Sequence, residues 1–197
     1  MALLMNTGVH PRKTAAERLE RGLPPRALGR FFRDQKGASA LEFAMVATPL
    51  ILLLLAILQI GLVYFANFAL EGALERGARL IRTGQAQTQK FDAGMFKKEV
   101  CKYLSAPLNC DGLKLDVSSY PSFAGAAKNL TSPLGPDGKL KSGFGFDPGG
   151  AEDVVVVRAF FPLEIGAVLP ANISLSNMDG GGRLLIATAA FRNEPYK

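Results

Sequence analysis

The residues that could do chemistry in this chain are few. His10, the single histidine in 197 residues, lies in the basic leader, so no convincing His-based triad is expected, and one histidine with two cysteines falls short of the usual four-ligand zinc sets. The glycines at 143, 145, 149 and 150 are not followed by Lys-Ser or Lys-Thr, and Gly180-Gly181-Gly182 precedes a strand pattern rather than a helix. Neither forms a phosphate cradle of the known kind. Asn129-Leu130-Thr131 and Asn172-Ile173-Ser174 fit the glycosylation triplet, a pattern that arises often by chance. No cofactor or metal is expected, and the chain is expected not to be an enzyme.

Two cysteines remain, Cys101 and Cys110, with eight residues between them. In an oxidising compartment they predict one disulfide, whose short loop adds roughly 2–3 kcal/mol. The alternative is a pair of buried free thiols. The most unusual group is Glu42, an acid at the edge of a long apolar run. Deep in a bilayer a carboxylate costs about 2.5–3.5 kcal/mol and calls for a partner. In the headgroup layer it would simply be hydrated.

The elements that must position these groups follow from charge and periodicity. Residues 43–70 contain no Asp, Glu, Lys or Arg. As a helix this run is about 42 Å long, beyond the roughly 30 Å of bilayer hydrocarbon and well beyond a signal-peptide core of about 7–15 residues. It predicts a retained single-span anchor. Residues 1–37 hold eight basic and three acidic residues, a net +5 of the chain's +6. That asymmetry predicts a cytoplasmic leader and a far-side domain, and it explains the basic pI without nucleic acid.

Pro49 lies inside the run, where neighbours in a membrane can compensate for its missing donor, and it predicts a bend near residues 45–49. Beyond the run, Leu70, Ala73, Leu74, Gly77, Ala78 and Ile81 continue at helical spacing, with Glu71, Glu75, Arg76, Arg79 and Arg82 between them. One helix is expected from Ala38 to Arg82, stopped by Thr83-Gly84. Ala69, Ala73 and Gly77 form a small-residue stripe that suits close approach of a partner helix.

Downstream, residues 91–104 carry a short helical pattern. Residues 113–119, 153–161 and 182–191 carry strand patterns, Val154-Val155-Val156-Val157 most strongly. Residues 120–150 predict a long loop with a turn at Pro136-Asp137-Gly138. The fold class is therefore α+β: a long N-terminal transmembrane helix extending into a small soluble domain with about three antiparallel strands. Its divisions are a 1–37 leader, a 38–82 helix and an 83–197 domain.

The border segment Lys36-Gly37-Ala38-Ser39-Ala40-Leu41-Glu42-Phe43 resembles a class IV prepilin. Cutting after Gly37 would make Ala38 the first residue and Glu42 the fifth. From Gly37 through Pro49-Leu50, and again from Ala69-Leu70-Glu71-Gly72-Ala73 to Ala78-Arg79, the chain is similar to the TadE family of pilus-assembly proteins. The ending Ala187-Thr188-Ala189-Ala190-Phe191-Arg192-Asn193-Glu194-Pro195-Tyr196 is similar too. The leader is long for a prepilin, and Met5 offers a later start.

The resemblance implies a pseudopilin of the tight-adherence (Tad/Flp) system. Such a protein sits in the bacterial inner membrane with a periplasmic C-terminal domain, and a prepilin peptidase cuts it there. Its implied partners are a second pseudopilin, the major Flp pilin and the Tad assembly machinery. The new amine of Ala38 on one subunit would answer Glu42, beside Phe43, on another. The competing reading is an uncleaved, membrane-anchored periplasmic module related to TadG.

Overall fold

The computed structural model describes residues 37–164, 175–179 and 181–196. His10, most of the expected leader and Asn172-Ile173-Ser174 lie outside the described residues. The chain divides into two compact units, residues 1–50 and residues 51–197.

Helix α1, Ala38–Arg82, has the expected bounds and runs on through Pro49. Just before the proline, the Thr48 hydroxyl donates to the Ala44 carbonyl at 2.7 Å. The helix is long and apolar enough to cross a membrane, as a membrane-anchored protein requires. Its large apolar side chains are exposed along the first two thirds, Phe43, Leu58 and Phe68 among them. Burial begins at Ala66 and continues at Leu70, Ala73, Leu74, Gly77, Ala78 and Ile81, a stripe of helical period. This explains why the apolar run is longer than a bilayer: its last turn belongs to the core of the second unit. Packing therefore does not follow a division at 82/83.

Gly84 ends α1 with a φ of 75°, a conformation in which glycine meets no Cβ clash. The Gly84 N–H donates to the Ile81 carbonyl at 3.0 Å. A single turn, α2 (Gln85–Thr88), leads to α3 (Ala93–Cys101). The Asp92 carboxylate caps α3 by accepting from the Met95 N–H at 2.7 Å. Phe96 and Val100 point from α3 into the core.

Three strands follow, β1 (Lys114–Tyr120), β2 (Val154–Glu164) and β3 (Gly182–Arg192), in an antiparallel sheet of order β1-β2-β3. Strand alternation gives the sheet two faces. Val155, Val157, Ala159, Phe161 and Leu163 of β2 join Leu185 and Ala187 of β3 in one core cluster with the α1 stripe. Pro162 is tolerated in the central strand because β1 begins at Lys114, whose partner is Phe160, so no β1 acceptor stands opposite the missing N–H.

The other face carries Val154, Val156, Phe160 and Leu184, all buried. The segment expected to be one long loop covers it. That expectation needs correction, because residues 120–150 contain a further helix, α4 (Phe123–Asn129). Ser122 caps it, accepting from the Gly125 N–H at 3.1 Å. Two turns rich in Gly and Ala carry too little apolar period to be seen in the sequence. Further along, Phe144 stacks on Phe160 at 4.9 Å between ring centroids. The expected turn at Pro136-Asp137-Gly138 is present, with the Gly138 N–H donating to the Gly135 carbonyl at 3.1 Å.

Candidate functional site

The segment expected to be processed stands open. Gly37 immediately precedes α1, and a Cβ placed on it would meet nothing within 4 Å. Ala38 begins the helix, and Glu42 and Phe43 follow within its second turn, all of them exposed. Phe43 is 74% accessible. Among the described residues Glu42 has no ion-pair partner. The structure thus places Gly37, Ala38, Glu42 and Phe43 together at the exposed start of α1.

The small-residue stripe has a different fate from the one expected. Ala73 and Gly77 are buried in the chain's own core and Ala69 is half-buried beside them. A Cβ on Gly77 would lie 2.5 Å from Cγ2 of Val100 and 3.4 Å from Cζ of Phe96. The close approach suits α3 of the same chain, so the stripe is not free for a partner helix. Small side chains at four-residue spacing permit contact without naming the partner. Gly77→Val is accordingly expected to destabilise the domain by about 1–3 kcal/mol through overpacking, read as a lower midpoint in denaturant for the full chain in detergent. An unchanged midpoint with weakened self-association would restore the partner-helix reading.

Cys101 and Cys110 are joined, with their Cα atoms 5.5 Å apart. The bond pins the end of α3 to the loop that leads through buried Leu108 and Leu113 into β1.

Two groups of residues escape a reading of the sequence. Asp116 on β1 and Arg158 on β2 face each other across the strands and are nearly buried. The Asp116 Oδ2 accepts from Arg158 Nη2 at 2.5 Å and Nε at 3.1 Å. Its Oδ1 accepts from the Gly145 N–H at 3.1 Å, while Arg158 Nη1 donates to the Thr131 carbonyl at 2.8 Å. The pair therefore fastens the covering segment at two points.

The second group is the C-terminal tail. The Glu194 N–H donates to the Arg82 carbonyl at 2.9 Å, satisfying an acceptor that the end of α1 leaves open. Asn193 Nδ2 donates to the carbonyls of Pro148 and Gly150 at 3.0 and 2.8 Å. The Tyr196 ring lies against Gly84, where a Cβ would come within 2.4 Å of it. Burial, aided by the Asp153 carboxylate, raises the Tyr196 phenol above its ordinary pKa. The tail thus clasps the end of α1 to the 148–150 turn. The only signal for it in the sequence is the resemblance of the ending to TadE endings.

No curated protein and no solved structure matches the chain. A family model does match, that of the TadE-like proteins, over residues 37–79. The match opens on Gly37, takes in Ala38, Glu42 and Phe43, and closes at Arg79 on the stretch of α1 that packs into the core. By that match and by the helix that carries it, this chain contains a TadE-like domain at residues 37–79.

Proposed function

We propose that the protein is a structural, non-catalytic subunit of the Tad pilus system, a pseudopilin whose leader a prepilin peptidase removes between Gly37 and Ala38. The TadE-like domain supports a place in that system. The observation that carries the finer reading is the coincidence of three features. The family match starts at Gly37, α1 starts at Ala38, and the backbone between them is sterically open.

In this reading the basic leader lies in the cytoplasm of a bacterium and α1 crosses the inner membrane. The domain that follows, with its disulfide, sits in the periplasm, an oxidising compartment. Its partners are the peptidase, a second pseudopilin, the major Flp pilin and the Tad assembly machinery. Once cut, Ala38 carries a positive amine, and Glu42 of a neighbouring subunit is the group placed to receive it.

The test is the intact mass of the protein recovered from membranes that also contain the peptidase. The expected species lacks 37 residues and begins at Ala38. A full-length species would sink the processing step and leave the uncleaved, TadG-like anchored module in its place.

A further inference from the structure

Strands at the edge of a sheet expose a ladder of unpaired N–H and C=O groups, and proteins protect them with charges, prolines or cover. The two edges here differ. The β1 edge is covered: the Val117 N–H donates to the Gly145 carbonyl at 3.0 Å, and the Asp147 N–H donates to the Val117 carbonyl at 2.9 Å. The β3 edge is not. Residues 184–191, Leu184-Leu185-Ile186-Ala187-Thr188-Ala189-Ala190-Phe191, contain no charge and no proline.

Which β3 groups point outward is set by its first turn of pairing. The Leu184 N–H donates to Asn177 Oδ1 at 2.6 Å, on the side away from β2. By strand alternation the N–H and C=O groups of Ile186, Thr188 and Ala190 point the same way. Among the described residues none of these three has a main-chain hydrogen-bond partner on that side.

Two hollows lie along this edge. Near the start of β3 one has a volume of about 490 Å³, between Ile60, Val63 and Tyr64 of α1, Leu175 and residues 183–186. Toward the end the other holds about 720 Å³, between α1 and residues 188–191. There the α1 wall carries Gly72, Glu75, Arg76, Arg79 and Arg82. Arg76 lies 4.9 Å over the Tyr103 ring, and Arg82 is 3.6 Å from Glu194. Arg79 has no ion-pair partner among the described residues.

We infer that the β3 edge from Ile186 to Ala190, beside the hollow lined by the α1 arginines, binds one extended acidic segment of a different polypeptide, which adds to the sheet as a fourth strand beside β3. Main-chain hydrogen bonds to Ile186, Thr188 and Ala190 hold it, as in other cases of strand addition. Alternate side chains of the guest turn toward α1, where carboxylates meet Arg79, Arg82 and Arg76. The others lie beside Ile186, which is 43% exposed, and these are apolar.

A second copy of this chain is a poor occupant. β3 starts beside Ile60 and ends beside Arg82, so it runs in the same direction as α1. Two β3 edges paired by a two-fold axis would run antiparallel. Their helices would then point in opposite directions, which two anchors inserted the same way in one membrane do not allow. The inference does not depend on processing at Gly37.

The test uses the full chain in detergent with two labelled eight-residue probes, one alternating Val and Asp, the other Val and Lys. The Val-Asp probe is expected to bind and to slow amide exchange at Ile186, Thr188 and Ala190. The Val-Lys probe and the Arg79→Glu variant with Val-Asp are each expected to show binding about tenfold weaker. Equal binding of the two probes, no binding of either, or protection elsewhere overturns the proposal. In cells that assemble the pilus, a photo-crosslinking residue in place of Thr188 should couple to an acidic stretch of another chain. Coupling to a second copy of this chain, or none, overturns it as well.

Discussion

Gly37→Val is expected to leave the leader on every copy of the protein while membrane insertion proceeds as before. The reason is local. A protease that cuts at this position must bring its catalytic groups onto the backbone, and a glycine presents no side chain there. A Cβ on Gly37 would meet nothing within 4 Å. The substitution therefore tests access to the peptide bond and leaves folding alone. Its readout is the mass of the membrane-bound protein, with processing expected to fall from complete to undetectable. Normal cutting of the variant would show that the peptidase does not use this glycine.

Glu42 is expected to fail at a later step. Glu42→Gln keeps size and hydrogen bonding and removes only the charge, so cutting should be near normal while pilus assembly is lost. The motive is that the carboxylate is exposed and without an ion-pair partner among the described residues. If the glutamine variant builds normal pili, Glu42 is no more than a hydrated surface acid.

The second large effect is expected at Asp116. Asp116→Ala should destabilise the soluble domain by about 3–5 kcal/mol, because it strands the Arg158 guanidinium in a nearly buried site. That is a large share of the roughly 5–15 kcal/mol that holds an ordinary domain together. The loss reaches beyond the pair. The Gly145 N–H loses its acceptor, and Arg158 loses the anchor that holds it on the Thr131 carbonyl. Residues 131–145 should then exchange their amides faster than the rest of the sheet.

Replacing both partners, Asp116→Leu with Arg158→Met, should recover most of the stability, since no buried charge is left unmatched. Denaturant unfolding of the full chain in detergent measures both variants. A single-variant loss under about 0.5 kcal/mol, the range of ordinary surface substitutions, would show that water replaces the pair at little cost.

The local pattern of the sequence is enough to determine much of this protein. The charge-free run and the apolar stripe that continues it define α1 to its last residue. Thr83-Gly84 ends that helix, and alternation and β-branched residues mark the three strands to within three residues. Each of these is a short-range property: period, charge and turn chemistry act between neighbours in the chain. The motif at Gly37 to Phe43 is equally local, which is why it stands in the sequence without any fold.

What covers each apolar or charged face is a different kind of fact, and only the tertiary structure decides it. Ala73 and Gly77 show a face made for close contact, but Phe96 and Val100 of the same chain fill it. Asp116 and Arg158 lie 42 positions apart and meet because the β1–β2 register sets them opposite one another. Residues 120–150 look like loop composition, yet they supply a helix and the cover of a sheet face. Asn193 and Glu194 carry no period at all, and their role exists only because β3 delivers them to the end of α1. Periodicity encodes which side of an element avoids water. The partner on that side is set by strand register and chain connectivity, and these are long-range.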